Sequence, residues 1–339
     1  MDTNSFAPIA VFVYKRENHT RKLLESLAGC RYASSSDVFI FSDGAKRPED
    51  EKDVIKVREL IHENKWKDSF GSLEITEAPR NKGLANSIIG GVTDVINRYG
   101  RIIVLEDDLE VAPNFLTYMN EMLVSQKENE KVFAIAGWTY PFCKYAYKDS
   151  KDAGASSIVA RVAGGKLSEH TPWLFYRACS WGWATWADRW EKVEFDPVIA
   201  GFKDKLSNSE WCKRFSRGGN DLPGMLQLYL DGKIDSWAIR WNVAACDLDM
   251  MTVYPMATLL VNNGLDGSGT NCAARDESRQ ESGLTAQDEV ATNPVMNSSL
   301  VRKAWKYESD TLDKKIKRNL RVIFVDHKVP NIFMARGRR

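Results

Sequence analysis

Between residues 9 and 136, short apolar runs rich in β-branched residues alternate with helical patterns, and this alternation limits the architecture more than any other feature of the chain. Ile9 to Val13 is followed by Leu23, Leu24 and Leu27 at helical spacing, and Val38 to Phe41 by Pro48 and then Val54, Val57 and Ile61. Ser72 to Thr76 precedes a helix read from Asn81 to Tyr99, with Leu84, Ile88, Val92 and Val95 on one face and Gly100 as its stop. Ile102 to Leu105 is apolar throughout, as a strand buried on both faces requires. A helix opening at Pro113 and a strand from Val132 to Ala136 complete the series. Strands and helices alternating in this way predict an open α/β sheet, mostly parallel, with helices on both sides.

A chain of 339 residues with 43% hydrophobic and 27% charged side chains can cover such a sheet, which excludes wholesale disorder and fibrous architecture. No apolar stretch reaches membrane-spanning length and the N-terminus lacks the layout of a secretory signal, so a cytoplasmic protein is expected. Six cysteines without a CxxC pair, and only four histidines, speak against structural zinc and against a disulfide framework. The net charge of +1 points to no nucleic-acid partner, but it is unevenly spread. Residues 302–339 hold twelve Lys/Arg against four Asp/Glu, a surplus of +8 that leaves −7 for residues 1–301. In segment 314–339 cations interleave with apolar residues, which suggests contact with an anionic surface such as the inner face of the cell membrane.

Strands of an open α/β sheet aim their carboxyl ends at the ligand crevice, so polar residues directly after apolar runs are the first functional candidates. Three sets qualify: Tyr14-Lys15-Arg16, Asp43, and Glu106-Asp107-Asp108. Three consecutive acids repel one another, and a hard divalent cation or sugar hydroxyls would offset that repulsion; a solvated acidic turn is the plainer reading of the triplet alone. No Walker loop and no GxGxxG follows any strand, so phosphates would have to be held by metal and by side chains such as Arg16 and Lys15. Beyond residue 140 the alternation is lost. Residues 144–172 and 273–299 read as loop, and between them Trp173, Trp181, Trp183, Trp186 and Trp190 place five tryptophans in eighteen residues. Indoles serve as platforms for sugar rings or as core, and most of the five are expected in the core with one or two facing ligand.

The run from Ile103 to Phe115, IVLEDDLEVAPNF, resembles the metal-binding segment of GT-A glycosyltransferases of the N-acetylglucosaminyltransferase I type and of related bacterial sugar transferases. Ala10 to Arg16 resembles that family's first strand, Ser42-Asp43-Gly44 the end of its second, and Arg80 to Ala85 its donor-side loop. More loosely, Ser180 to Trp186 resembles its acceptor-side segment and Asp235 to Trp241 the segment bearing its catalytic base.

The resemblance implies a GT-A, Rossmann-like fold and an inverting hexosyl- or N-acetylhexosaminyltransferase that moves a sugar from a nucleoside diphosphate donor, with uridine expected as the nucleoside. The acceptor would be a glycan or a lipid-linked glycan. Asp108 would ligate Mn²⁺ or Mg²⁺, Asp107 would contact the ribose, Glu106 would support the donor sugar and Asp43 would recognise the base. Tyr14, Arg16, Arg80 and Lys82 would complete the donor site, Trp181, Trp183 and Trp237 would face the acceptor, and Asp235 would be the general base. Asp231, Asp247 and Asp249 compete for that last role by proximity in sequence. Asn271 stands where related enzymes often carry a His, leaving that ligand in question. The expected organisation is a donor half at 1–140, an acceptor and catalytic half at 141–300 and a basic segment at 301–339. Two rivals remain: a nucleotidyltransferase acting on sugar phosphates, which would want a Gly-rich basic loop after the first strand, and a non-catalytic glycan-binding protein with a degenerate site.

Overall fold

A computed structural model describes residues 6–143, 145–146, 167–266 and 290–309. Its centre is an eight-stranded sheet in the order β3-β2-β1-β4-β8-β6-β9-β7. The strands are β1 Ile9–Val13, β2 Asp37–Ser42, β3 Ser72–Glu77, β4 Arg101–Glu106, β6 Val132–Ala136, β7 Trp173–Phe175, β8 Trp183–Trp186 and β9 Met251–Tyr254. A separate antiparallel pair joins β5, Leu109–Val111, to β10, Leu260–Asn262.

Side chains alternate between the two faces, as the pleat demands. Ile9, Val11, Ile103 and Leu105 enter one core with the helices Glu17–Ala28, Glu51–Ile61 and Phe115–Ser125, and Ala10, Phe12, Ile102 and Val104 enter another with Leu84–Tyr99 and Trp237–Asp247. The α/β, Rossmann-like expectation therefore holds. All five residues of β1 and the middle four of β4 are buried, which explains their unbroken apolarity.

The sheet is less parallel than the sequence pattern predicts. β3, β2, β1 and β4 are mutually parallel, but β8 runs antiparallel to both β4 and β6, and β7 antiparallel to β9. The tryptophan-rich stretch 173–190, which contains the Ser180 to Trp186 segment read as acceptor-side, supplies β7 and β8, so its strand residues are buried in the sheet. Two helices also start later than their patterns suggest, at Leu84 and at Phe115. At the first, Asn81 to Gly83 are drawn away to hydrogen-bond Asp43.

β6, from the first 140 residues, lies between β8 and β9, so one continuous sheet crosses the boundary expected at 140. The helix Ser298–Glu308 likewise crosses the boundary expected at 301, burying Leu300 and Ala304 against the body. Asn271 and the segment 314–339 lie outside the described residues.

Candidate active site

The chain leaves β1 toward β2 on one side, while β4 adds on the other side of β1, which makes the gap between the carboxyl ends of β1 and β4 the switch point where open α/β sheets bind ligands. Arg16, three residues beyond β1, and Glu106 to Asp108, at the end of β4, meet across it. Arg16 donates through Nε to Asp107 Oδ2 at 3.3 Å, through Nη2 to Asp107 Oδ1, and through Nη2 to Asp108 Oδ2 at 3.0 Å. Its Nη1 is buried with no hydrogen-bond partner among the described residues.

One guanidinium faces three carboxylates, and the imbalance shows in their proton affinities. Burial, then the charges of Asp108 and Asp107, push Glu106 well above the usual carboxylate range; burial raises Asp107 too, against the opposing pull of Arg16. The same neighbours raise the pKa of Arg16 despite its burial. The turn after β10 closes the far side. Asn263 N–H donates to the Asp108 carbonyl at 2.7 Å, a Cβ on Gly264 would fall on the Asp108 carboxylate, and His19 Nε2 lies 3.4 Å from the Asn263 carbonyl. The sequence does not mark His19 as a site residue, because its place depends on a turn some 240 residues away.

Asp43 has a different place from the one expected. Its Oδ1 accepts from the Gly44 and Lys82 N–H groups at 2.9 and 2.8 Å, and its Oδ2 from Gly83 N–H and Asn81 Nδ2, both at 3.0 Å. Four donors fill the lone-pair sites of a carboxylate, so Asp43 holds the 80–83 loop and keeps no free acceptor for a base. Gly44 permits this closeness, since a Cβ there would stand 2.5 Å from the Arg80 carbonyl carbon. Beside the loop lies a cavity of about 260 Å³, lined by Phe41, Asp43, Thr76, Lys82, Asn86 and Ser87 among others. Lys82 and Arg80 are exposed.

Tyr14 and Lys15 are likewise engaged within the chain. The Tyr14 hydroxyl donates to Asp50 at 3.2 Å and accepts from Lys46 N–H, and Lys15 Nζ pairs with Asp50 at 2.6 Å. They fix the 46–50 segment and leave Arg16 as the cation directed at the acids.

Of the three acceptor-side tryptophans, Trp183 and Trp237 are corrected to core: they are 0% and 3% exposed, their rings 5.3 Å apart within a cluster that includes Trp190 and Trp241. Only Trp181 keeps part of its surface open. The helix Trp237–Asp247 leads directly into Met251, at the amino end of the parallel strands. Its own amino end, with exposed Asp235, therefore stands at the same rim as Glu106. Asp247 lies at the opposite end, bonded to Lys205 and Trp211, as does Asp249, paired with Arg217. Both leave the contest for the base. Asp231 accepts from Gln227 on the surface.

No protein-family model matches the chain. Several solved structures similar to it are glycosyltransferases. A Pyrobaculum calidifontis mannosyltransferase, solved with GDP-Man and Mn²⁺, is 13% identical over 73% of this chain and 71% of its own, with a TM-score of 0.36. Residues 1–349 of S. aureus TarS are 10% identical over 73% and 60%, TM-score 0.36, and the glycosyltransferase GlyE of Streptococcus pneumoniae TIGR4 is 8% identical over 67% and 43%, TM-score 0.30. The chain spans only 21% of a longer TarS chain. Likeness of this degree identifies neither donor nor acceptor.

Proposed function

We propose that the chain is an inverting glycosyltransferase that takes its sugar from a nucleoside diphosphate donor. The observation that carries the reading is the clasp of Arg16 on Asp107 and Asp108 at the switch point, with Arg16 Nη1 left unpartnered among the described residues. A buried donor without an acceptor is costly, and a diphosphate oxygen would satisfy it. The helix Glu17–Ala28 begins beside it with no side-chain cap, so further N–H groups face the same anion.

The acids fit a hard divalent cation, because three carboxylates balanced by one arginine are short of positive charge. No group of three or more His, Cys, Asp or Glu among the described residues is arranged as a metal cage. Asp108 would therefore hold Mn²⁺ or Mg²⁺ together with the donor's phosphates, the usual mode for Mg²⁺. Bound there, the cation would neutralise charge developing on the departing diphosphate. Asp107, fixed by Arg16, would orient the ribose, and Glu106 would face the donor sugar. Uracil is the proposed base on the family resemblance alone; with Asp43 filled, its contacts would come from the Lys82, Asn86 and Ser87 side of the cavity. In the transfer the acceptor oxygen bonds to the anomeric carbon, the bond from that carbon to the phosphate oxygen breaks with its electron pair, and Asp235 accepts the hydroxyl proton. Attack opposite the leaving group inverts the anomeric centre.

A panel of nucleoside diphosphate sugars screened for Mn²⁺-dependent thermal stabilisation and slow hydrolysis tests this. One donor should stand apart, and Asp108→Ala should lose its effect; stabilisation surviving in that variant would overturn the cation role. Asp235→Asn should lower kcat by roughly 10²-fold or more while donor affinity persists. Near-normal turnover, with loss in Asp231→Asn instead, would move the base.

No described helix is long and apolar enough to cross a membrane. On its sequence alone, segment 314–339 is proposed to hold the protein against an anionic leaflet, where each basic residue contributes about 1 kcal/mol. The full chain should float with anionic but not neutral liposomes, and equal flotation of a chain ending at Asp313 would reject this.

A further inference from the structure

The helix Leu84–Tyr99 carries two adjacent glycines, and only one of them has a packing reason. A Cβ on Gly91 would stand 2.7 Å from the Phe12 ring and 3.1 Å from the Phe41 ring, so Gly91 lets the helix lie close on the sheet. A Cβ on Gly90 would meet nothing within 4 Å. Glycine is the poorest helix former after proline, and at Gly90 no contact accounts for that cost. What Gly90 leaves is room, for both glycines line the cavity beside the Asp43 loop.

The cavity has the parts of a site for a flat, polar ring. Its floor is Phe41, which stacks on Phe12 at 5.1 Å, and Thr76, which pairs with Phe41 in the ladder and so shares its face of the sheet. Its wall is the helix, with Ser87, Gly90 and Asp94 along one side. Lys82 and Asp43 stand at the mouth, at the carboxyl rim of the strands that also carries Arg16. At about 260 Å³ the cavity is smaller than the roughly 300 Å³ at which pockets begin to enclose drug-sized ligands, so it holds a ring and not a whole nucleotide.

The far end decides which ring. Asp94 lies one helical turn beyond Gly90, and side chains on a helix lean toward its amino end, which brings the carboxylate over the empty position. Arg98 stands 3.8 Å from Asp94 but donates to Glu74, at 3.1 and 3.4 Å, and no hydrogen bond reaches Asp94 among the described residues. A carboxylate only accepts. Guanine presents two adjacent donors, its N1–H and its 2-amino group, whereas adenine presents a donor beside an acceptor and uracil a donor between two acceptors. A pyrimidine entering past Lys82 also ends near Ser87, while the fused ring of a purine fills the space at Gly90.

We infer that this cavity selects a guanine nucleotide, with the base stacked on Phe41, its paired donors on Asp94, and Gly90 bare to admit the second ring. The Thr76 and Ser87 hydroxyls are the donors available to the base oxygen. The inference rests on the transferase reading, which puts the diphosphate at Arg16, and it replaces the uracil that the family resemblance suggests.

Isothermal titration of the full chain in Mn²⁺ with the diphosphates of guanosine, inosine, adenosine and uridine tests it. Guanosine diphosphate should bind tightest. Inosine diphosphate, which lacks only the 2-amino group, should bind about tenfold more weakly or worse, and the other two should be weaker still. Asp94→Ala should remove most of the difference between the guanosine and inosine compounds. Gly90→Leu fills the cavity from a position with open space, so it should melt no lower than the parent and lose most of its affinity for guanosine diphosphate. Unchanged affinity in Gly90→Leu overturns the pocket. Metal-dependent binding of uridine diphosphate as tight as that of guanosine diphosphate overturns it too, and keeps the transferase. A guanine preference without hydrolysis or transfer from any guanosine diphosphate sugar keeps the pocket and overturns the transferase, and no binding of any of the four overturns both.

Discussion

Asp50 shows how a residue remote from any chemistry supports the switch point. It receives the Lys15 ammonium, the Tyr14 hydroxyl and the Arg47 guanidinium, and so ties the chain leaving β1 to the segment before the helix Glu51–Ile61. Hydrogen bonds from Lys15 and then Arg47 hold its carboxyl far below the usual range. A carboxyl with a depressed folded pKa contributes stability that is present above its unfolded value, about 3.9, and lost as pH falls through the folded one. Asp50→Asn should therefore melt below the parent at pH 7, and the gap should narrow as the pH drops below about 4. A gap independent of pH would mean that packing, not charge, is what the substitution removes. The Glu106 to Asp108 triplet was legible because a charged run ending a wholly apolar strand is rare and its place at a strand end follows from local pattern. That Asp43 is saturated was not legible, since three of its four donors come from residues 81–83 and are fixed only when β2 and β3 pair.

At the level of elements, β1 to β4 and β6 follow from period and burial, whereas β7 and β8 were hidden by their tryptophans. Composition cannot separate a ring that stacks on a ligand from a ring that alternates into a sheet, and Trp183 is the second kind because it pairs with Val104 on one side and Ala136 on the other. The turn after β10 yields a prediction of its own. A methyl on Gly264 would press on the Asp108 carboxylate and stand 2.9 Å from the Asp108 Cβ, so Asp108 has to shift to admit it. Gly264→Ala should lose most of the Mn²⁺-dependent stabilisation by nucleotide while melting little changed without it. A large fall in the melting temperature of the free protein would show that the turn, not the carboxylate, gives way.

For the molecule as a whole, one core runs from Ala7 to Ala304 and joins the first half of the chain to the second. The two should unfold together. Ten of the eleven tryptophans lie beyond residue 137, so their fluorescence reports the second half while far-UV circular dichroism reports all of it. The two melting curves should coincide, and a fluorescence transition several degrees away would divide the chain into separate units.

The placement of β4 also bears on how the molecule comes into being. Its neighbours are β1, some ninety residues earlier, and β8, some eighty later, so both of its ladders close large loops. Proteins dominated by such distant pairings fold slowly. During synthesis β4 emerges long before Trp183 to Trp186, and until then Ile102 to Leu105 presents an apolar, unpaired edge of the kind that recruits other chains. A nascent chain halted between residues 106 and 183 is accordingly the species most in need of a chaperone, and fragments ending there should aggregate even though they contain every acid of the triplet.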